Sequence, residues 1–169
     1  EADRVAKLAD VQFARAEEFY RAAQAQLDTV QRESKQLLAR VPEDSPVRND
    51  LIHDLAFGSY NLANITIWLG DFDLAEQYIG NASDDFELLL ADDSENEKLT
   101  DWDSRQDQFD LALCQQLAGD IFQERIISLP EPEPGQPESD ESAALKQKHY
   151  GEALQHYANT TYILETLNS

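Results

Sequence analysis

The 169-residue sequence has little of several features that define common protein classes. It holds one cysteine, Cys114, which excludes an intrachain disulfide and a zinc site built from several cysteines. Its 13 basic residues face 34 acidic ones, a formal net charge of -21, so it lacks the clustered Lys and Arg that bind nucleic acid. No apolar run approaches the ~20 residues of a membrane span, so we expect no direct membrane insertion of this segment.

Methionine is absent, and the sequence begins at Glu1. We interpret this as a start downstream of the initiation codon, with a signal peptide, an anchor or a preceding domain removed. Two interpretations stay open. One is a trimmed cytosolic protein; the other is the extracytoplasmic soluble part of a secreted or membrane-anchored protein, towards which the sequence leans.

Strand patterns are nearly absent, whereas apolar residues recur every three or four positions. The sequence therefore predicts an all-α fold: one domain over residues 1–169, with about five helices arranged as antiparallel hairpins. Prolines and glycines mark the helix ends. The predicted helices span 2–39, 46–70, 72–90, 101–129 and 142–167. The acidic stretch 91–101 is predicted as a loop, and the proline-rich acidic stretch 130–140 as a flexible loop.

Three segments share an internal pattern. Each has an aromatic residue, a small residue three positions on, a bulky residue four later and a small one three later. Small residues let a neighbouring helix approach closely, and the aromatic fills the space beside them. Core packing in an ordinary helical bundle is the alternative explanation. The aromatic and first small residue of the three segments are Phe13 and Ala16, Phe72 and Ala75, and Tyr150 and Ala153.

This pattern resembles the second helix of a tetratricopeptide repeat, and the best copy spans residues 55–82. The copies are not at the family's period of 34 residues, because their alanines are 59 and 78 positions apart, and Thr66 replaces the usual aromatic. The resemblance implies an array of helical hairpins that acts as a protein-interaction scaffold. Its matching positions are Leu62 and Ala63 in the first helix, the turn glycine Gly70, and Phe72, Ala75, Ile79 and Ala82 in the second helix.

The distribution of charge along the chain indicates which kind of partner to expect. After residue 40 the chain has 27 acids and six bases, which favours a basic partner or an apolar helix over an acidic peptide. Two alternatives stay open: a solvated face that serves solubility only, and the surface of a protein from a salt-tolerant host. The predicted acidic docking rim consists of Asp84, Asp85, Asp92, Asp93, Asp101 and Asp103.

The first helix has no helix before it to pack against. Its apolar residues form one stripe, and the exposed flank marked by Val5, Phe13 and Tyr20 is expected to receive a second subunit, giving a homodimer, or the absent N-terminal segment. The stripe comprises Val5, Ala9, Phe13, Ala16, Tyr20, Ala23, Leu27 and Val30.

The sequence has few combinations of residues typical of catalytic sites. It therefore predicts no enzyme, no cofactor and no metal site. The last helix does place His149, Glu152 and His156 on one face, at spacings found in metal sites. We expect the buried face to consist instead of Leu145, Tyr150, Ala153, Tyr157 and Leu164, which would leave those three polar groups in water. Cys114 is expected to be a buried, inert thiol.

The acidic segment 101–112 has the wrong residues for a calcium loop, and no phosphate-binding loop or hydrolase motif occurs. The expected function is therefore a non-enzymatic interaction scaffold. The alternative is a structural or spacer subunit of a membrane-anchored assembly.

Overall fold

A computed structural model describes residues 2–45, 47–95, 101–132 and 135–168, with side chains described for 10–45, 47–91, 104–132 and 135–168. Over these residues the chain forms five helices and no strand, which confirms the predicted all-α class. None of these helices is both long and apolar enough to cross a bilayer. The helices are α1 (Ala2–Leu38), α2 (Val47–Trp68), α3 (Phe72–Glu95), α4 (Asp101–Ser128) and α5 (Asp140–Leu167).

Two helices extend further than the sequence predicts. α3 continues to Glu95, into the stretch predicted as a loop from residue 91, because Asp, Ser and Glu there include no Gly or Pro to stop the helix. α5 begins at Asp140, two residues earlier than predicted. Its N-cap is Ser139, whose hydroxyl accepts a hydrogen bond from the Ser142 backbone N–H at 3.1 Å.

The turn between α2 and α3 is built around Gly70, as predicted. Gly70 has φ +75°, a left-handed conformation that side chains with a Cβ rarely adopt. Its N–H donates to the Ile67 carbonyl at 2.9 Å, and the Asp71 N–H donates to the Thr66 carbonyl at 2.9 Å. Asp71 then caps α3 by accepting from the Leu74 N–H at 3.2 Å, so the two helices reverse direction over three residues.

Helices adjacent in sequence are adjacent in space, and α2 also contacts α4. The order of contacts shows that neighbouring helices are antiparallel, because residues late in one helix contact residues early in the next. At the two ends of the α4 and α5 pair, for example, Arg105 contacts the Leu167 carbonyl and Tyr157 bonds Asp120. α3 thus lies in the middle of the array, while α1 and α5 form its two outer edges.

The core lies among α2, α3 and α4. The α2 and α3 positions that carry the repeat resemblance are all buried except Phe72, which is partly buried at the edge of the core. Ala153 on α5 is buried as well, but Ala16 on α1 is exposed, so the three segments do not lie at equal depth. The main cluster is Ile52, Ala56, Ala63, Ala75, Ile79, Ala82, Phe86, Leu89, Cys114, Leu117, Ala118 and Ile121.

The structure describes two of the three side chains that mark the predicted exposed flank of α1, those of Phe13 and Tyr20. Phe13 and Val30 are exposed, whereas Tyr20, Ala23 and Leu27 are partly buried. Phe13 is exposed because α2 is shorter than α1 and covers only the C-terminal part of it. Periodicity in α1 predicts which face is apolar, but not how far its neighbour extends.

Candidate functional site

The structure describes the side chains of only two of the six residues in the predicted acidic docking rim. Asp84 is exposed on α3, while its neighbour Asp85 is partly buried. Burial raises the pKa of the Asp85 carboxyl; the Lys35 ammonium opposes this shift and the Asp84 carboxylate adds to it. Asp85 therefore faces α1 rather than open solvent. The side chains of Asp92, Asp93, Asp101 and Asp103 lie outside the described residues, so the rim as a whole stays a prediction.

The exposed part of α1 is the most unusual surface of the described chain. Every side chain from Asp10 to Phe19 is exposed, and the ring of Phe13 is 75% exposed. Tyr20 is the first partly buried residue. Its ring stacks on Trp68 at the end of α2, with ring centroids 5.9 Å apart and planes within 5°. Tyr20 thus has a partner within the chain, while the side chain of Val5 lies outside the described residues.

The exposed ring of Phe13 continues the face through which α1 packs on α2. Phe13, Tyr20, Gln31 and Leu38 are 7, 11 and 7 positions apart, which places all four on one side of a helix. Gln31 Nε2 donates to the Leu55 carbonyl at 2.6 Å, and Leu38 packs against the core. Contact with α2 is complete at these two positions, ends at Tyr20, and leaves Phe13 uncovered.

We call this surface the overhang strip; it comprises Phe13, Ala16, Tyr20 and Trp68. Trp68 is 73% exposed despite its stacking on Tyr20. Phe13 is exposed on the face through which α1 packs on α2, and Trp68 is exposed at the adjoining end of α2. Two such large exposed aromatic rings are typical of an interaction surface rather than of a solvated face. The strip is the candidate functional site.

The predicted buried face of α5 is wrong at Leu145 and Tyr150, whereas Ala153 is buried and Tyr157 and Leu164 are partly buried. Tyr150 is exposed, whereas His149 is only 8% exposed and stacks on Phe122 with ring centroids 5.8 Å apart. His156 is partly buried against the same ring, at 5.6 Å. Both the predicted and the observed faces contain Ala153. The face of α5 that packs on α4 carries His149 and His156, whose imidazole rings stack on Phe122 and contact polar side chains.

Those partners account for the polar atoms of the α5 face. His149 Nδ1 lies 3.2 Å from Glu152 Oε2, and His156 Nδ1 lies 2.9 Å from Gln115 Oε1. Burial lowers the pKa of His156, although the Glu76 and Glu152 carboxylates partly oppose the shift. The His156–Gln115 contact joins α5 to α4, whereas the His149–Glu152 contact lies within α5.

Cys114 is fully buried, as predicted. Burial, with a contribution from the Asp110 carboxylate, raises the pKa of its thiol to about 12, while a hydrogen bond with Ser83 lowers it. The thiol is therefore protonated at neutral pH and is not a nucleophile.

One polar cluster was not found from the sequence. The structure brings His53 of α2 close to Asp107 and Asp110 of α4, and both carboxylates are buried. The two aspartates are three positions apart on one helix face, which is the only sequence signal for the cluster. His53 lies 54 residues before Asp107 in the sequence and on a different helix, so no local spacing indicated that the two residues would be close.

Comparison with known proteins adds no relative. No protein-family model, no curated protein and no solved structure matches this chain.

Proposed function

We propose that this chain is a non-enzymatic protein-interaction scaffold whose overhang strip receives an amphipathic helix of a partner protein. The observation that carries the proposal is the exposed ring of Phe13, in line with the residues through which α1 packs on α2. The resemblance of the α2 and α3 pair to a tetratricopeptide repeat supports the same function, because that family binds helices and peptides on stacked hairpins.

A helix is the occupant that best fits the strip. α2 lies antiparallel to α1 and covers the C-terminal part of this α1 face. A partner helix in line with α2 would cover the remaining, exposed part of the same face. The uncovered segment also gains from such a partner, because an isolated helical segment of about ten residues is marginal in water. Docking would supply the tertiary packing that stabilises most protein helices.

The charge of the chain favours a partner with Lys and Arg beside its apolar stripe. The net charge is -21, and two copies of the chain would repel each other as they approach. A cationic amphipathic helix is attracted by the same field, which raises its association rate at low salt. The strip then provides the apolar contact and the acidic body provides the long-range attraction.

Trp68 reports on the strip directly, so binding can be followed by its fluorescence. The second tryptophan, Trp102, is replaced by Phe to remove its signal. The probe is a designed helical peptide of Leu and Lys in heptads, with a Leu and Glu peptide of equal length as its control. We expect a saturable blue shift of Trp68 emission with the Leu and Lys peptide and none with the Leu and Glu peptide.

Two matched variants separate the strip from non-specific charge attraction. Phe13→Asp removes the central ring, whereas Val11→Asp makes the same charge change two positions away, about 200° around the helix. We expect at least about a tenfold loss of affinity with Phe13→Asp and little change with Val11→Asp. Because both variants add a negative charge, a purely electrostatic attraction to the cationic peptide would be strengthened in both.

Equal effects of the two variants, or no saturable binding at about 100 μM peptide, would contradict the proposal. Sedimentation without peptide tests the competing occupant. A dimer that forms with increasing protein concentration and is lost in Phe13→Asp would assign the strip to a second copy of the chain.

A further inference from the structure

Three metal-ligating side chains from two helices converge between α2 and α4. His53 Nε2 lies 3.4 Å from Asp110 Oδ2 and 3.9 Å from Asp107 Oδ1. One ligand atom of each residue lies within 4.8 Å of the other two. The cluster is separate from the overhang strip and does not depend on the function proposed for it.

The burial of the two carboxylates favours a cation between them. Asp107 is 8% exposed and Asp110 is 4% exposed. Burying an ionised carboxylate is costly, and two such groups this close together also repel each other. A divalent cation offsets both effects. The His53 side chain keeps 37% of its surface exposed, which gives an ion a route from solvent to the ligand atoms.

Neighbouring residues hold His53 and Asp110 in place. Gln106 Nε2 donates to Asp110 Oδ1 at 3.0 Å, which leaves Oδ2 directed towards His53. The His53 ring lies edge-on to Phe86, with centroids 5.6 Å apart, and stacks on Phe57 at 6.1 Å. Such outer contacts orient metal ligands in known sites and strengthen binding.

We propose that His53, Asp107 and Asp110 bind a divalent transition-metal ion, with Zn²⁺ as the ion that best fits the donors. Tetrahedral Zn²⁺ with bonds of about 2.1 Å to N and O places its ligand atoms about 3.4 Å apart, close to the His53 and Asp110 separation. Ca²⁺ and Mg²⁺ prefer sites made entirely of oxygen, whereas imidazole suits Zn²⁺. Three protein ligands leave a fourth position for water.

Bound metal would link α2 to α4, two helices that otherwise contact each other much less than each contacts α3. The expected consequence is a higher unfolding temperature with metal. The competing explanation is a metal-free cluster in which a protonated His53 pairs with the two carboxylates. The two explanations differ in whether one equivalent of metal binds at His53.

The experiment uses the full chain, stripped of metal with a chelator and titrated with Zn²⁺ or Co²⁺ alone. We expect one equivalent to bind, a visible absorption band typical of low-coordinate Co²⁺, and NMR shifts of the His53 ring that saturate at one equivalent. His149 and His156 provide internal reference signals, because both lie outside the cluster. Asp110→Asn preserves the shape of the ligand, and we expect it to weaken binding at least about 100-fold.

Asp54→Asn is the matched control, because Asp54 is an exposed carboxylate next to His53. We expect it to leave metal affinity unchanged. A second ligand variant, His53→Gln, covers the possibility that Asp110→Asn disturbs the fold. The proposal is overturned by the absence of a stoichiometric site, by metal shifts at His149 or His156 but not His53, or by equal affinities of Asp110→Asn and wild type.

Discussion

The ring of Tyr157 on α5 packs directly against Gly119 on α4. A Cβ added to Gly119 would lie 2.6 Å from Tyr157 Cε1 and 2.9 Å from Cδ1, closer than two carbon atoms can approach. The ring cannot easily withdraw, because the Tyr157 hydroxyl donates to Asp120 Oδ1 at 2.7 Å. The absence of a side chain at Gly119 is therefore what lets α5 lie close to α4.

Replacement of Gly119 by alanine tests this contact. Alanine is the better helix former by about 1 kcal/mol, but the overlap with a fixed ring costs about 1 to 3 kcal/mol. We expect Gly119→Ala to lower the free energy of unfolding by up to about 2 kcal/mol, measured by urea denaturation.

Gly80 supplies the matched control. It lies inside α3, and a Cβ added there would meet no atom within 4 Å, so Gly80→Ala gains helix propensity without a clash. We expect it to raise the free energy of unfolding by about 0.5 to 1 kcal/mol. Changes of the same sign in both variants would show that the approach of Tyr157 to Gly119 is not limiting.

The burial of His156 predicts a dependence of stability on pH. Its pKa is lowered in the folded chain, mainly by burial, so the unfolded chain binds the proton more readily. The contribution to stability is therefore present above the ordinary histidine pKa of 6.5 and is lost as the pH falls through the folded pKa. We expect His156→Gln to lose less stability than wild type between about pH 7 and pH 5.

Urea denaturation at the two pH values measures the difference, and Gln155→Ala, an exposed change on the same helix, is the control. The control is expected to keep the wild-type pH dependence. A wild-type pH dependence in His156→Gln as well would show that His156 does not titrate in the way its burial implies.

Much of the fold follows from local sequence signals. The prolines near residues 42–46 and 130–137 mark helix ends because proline has no N–H to donate and clashes with the preceding turn. Gly70 marks another helix end because it readily adopts the left-handed conformation that terminates α2. The small and bulky positions of α2 and α3 are buried as their spacing indicates. These features depend on residues close together in sequence.

The features that could not be predicted depend on which helix faces which. The burial of His149 requires the position of Phe122 on another helix, and the partial burial of Tyr20 requires the position of Trp68 at the end of α2. The cluster at His53 requires the packing of α2 beside α4. Helical periodicity predicts a face, but neither its neighbour nor the length over which they touch.

Hydrogen exchange along α1 tests the central claim most directly, because it measures whether the helix lacks a packing partner at the overhang strip. Without peptide, we expect amides of residues 10–19 to exchange much faster than those of residues 27–38, which α2 covers. Saturating Leu and Lys peptide is expected to slow exchange at 10–19 at least about tenfold in wild type but not in Phe13→Asp. Full protection of residues 10–19 without peptide, or no slowing in wild type at saturation, would contradict the account.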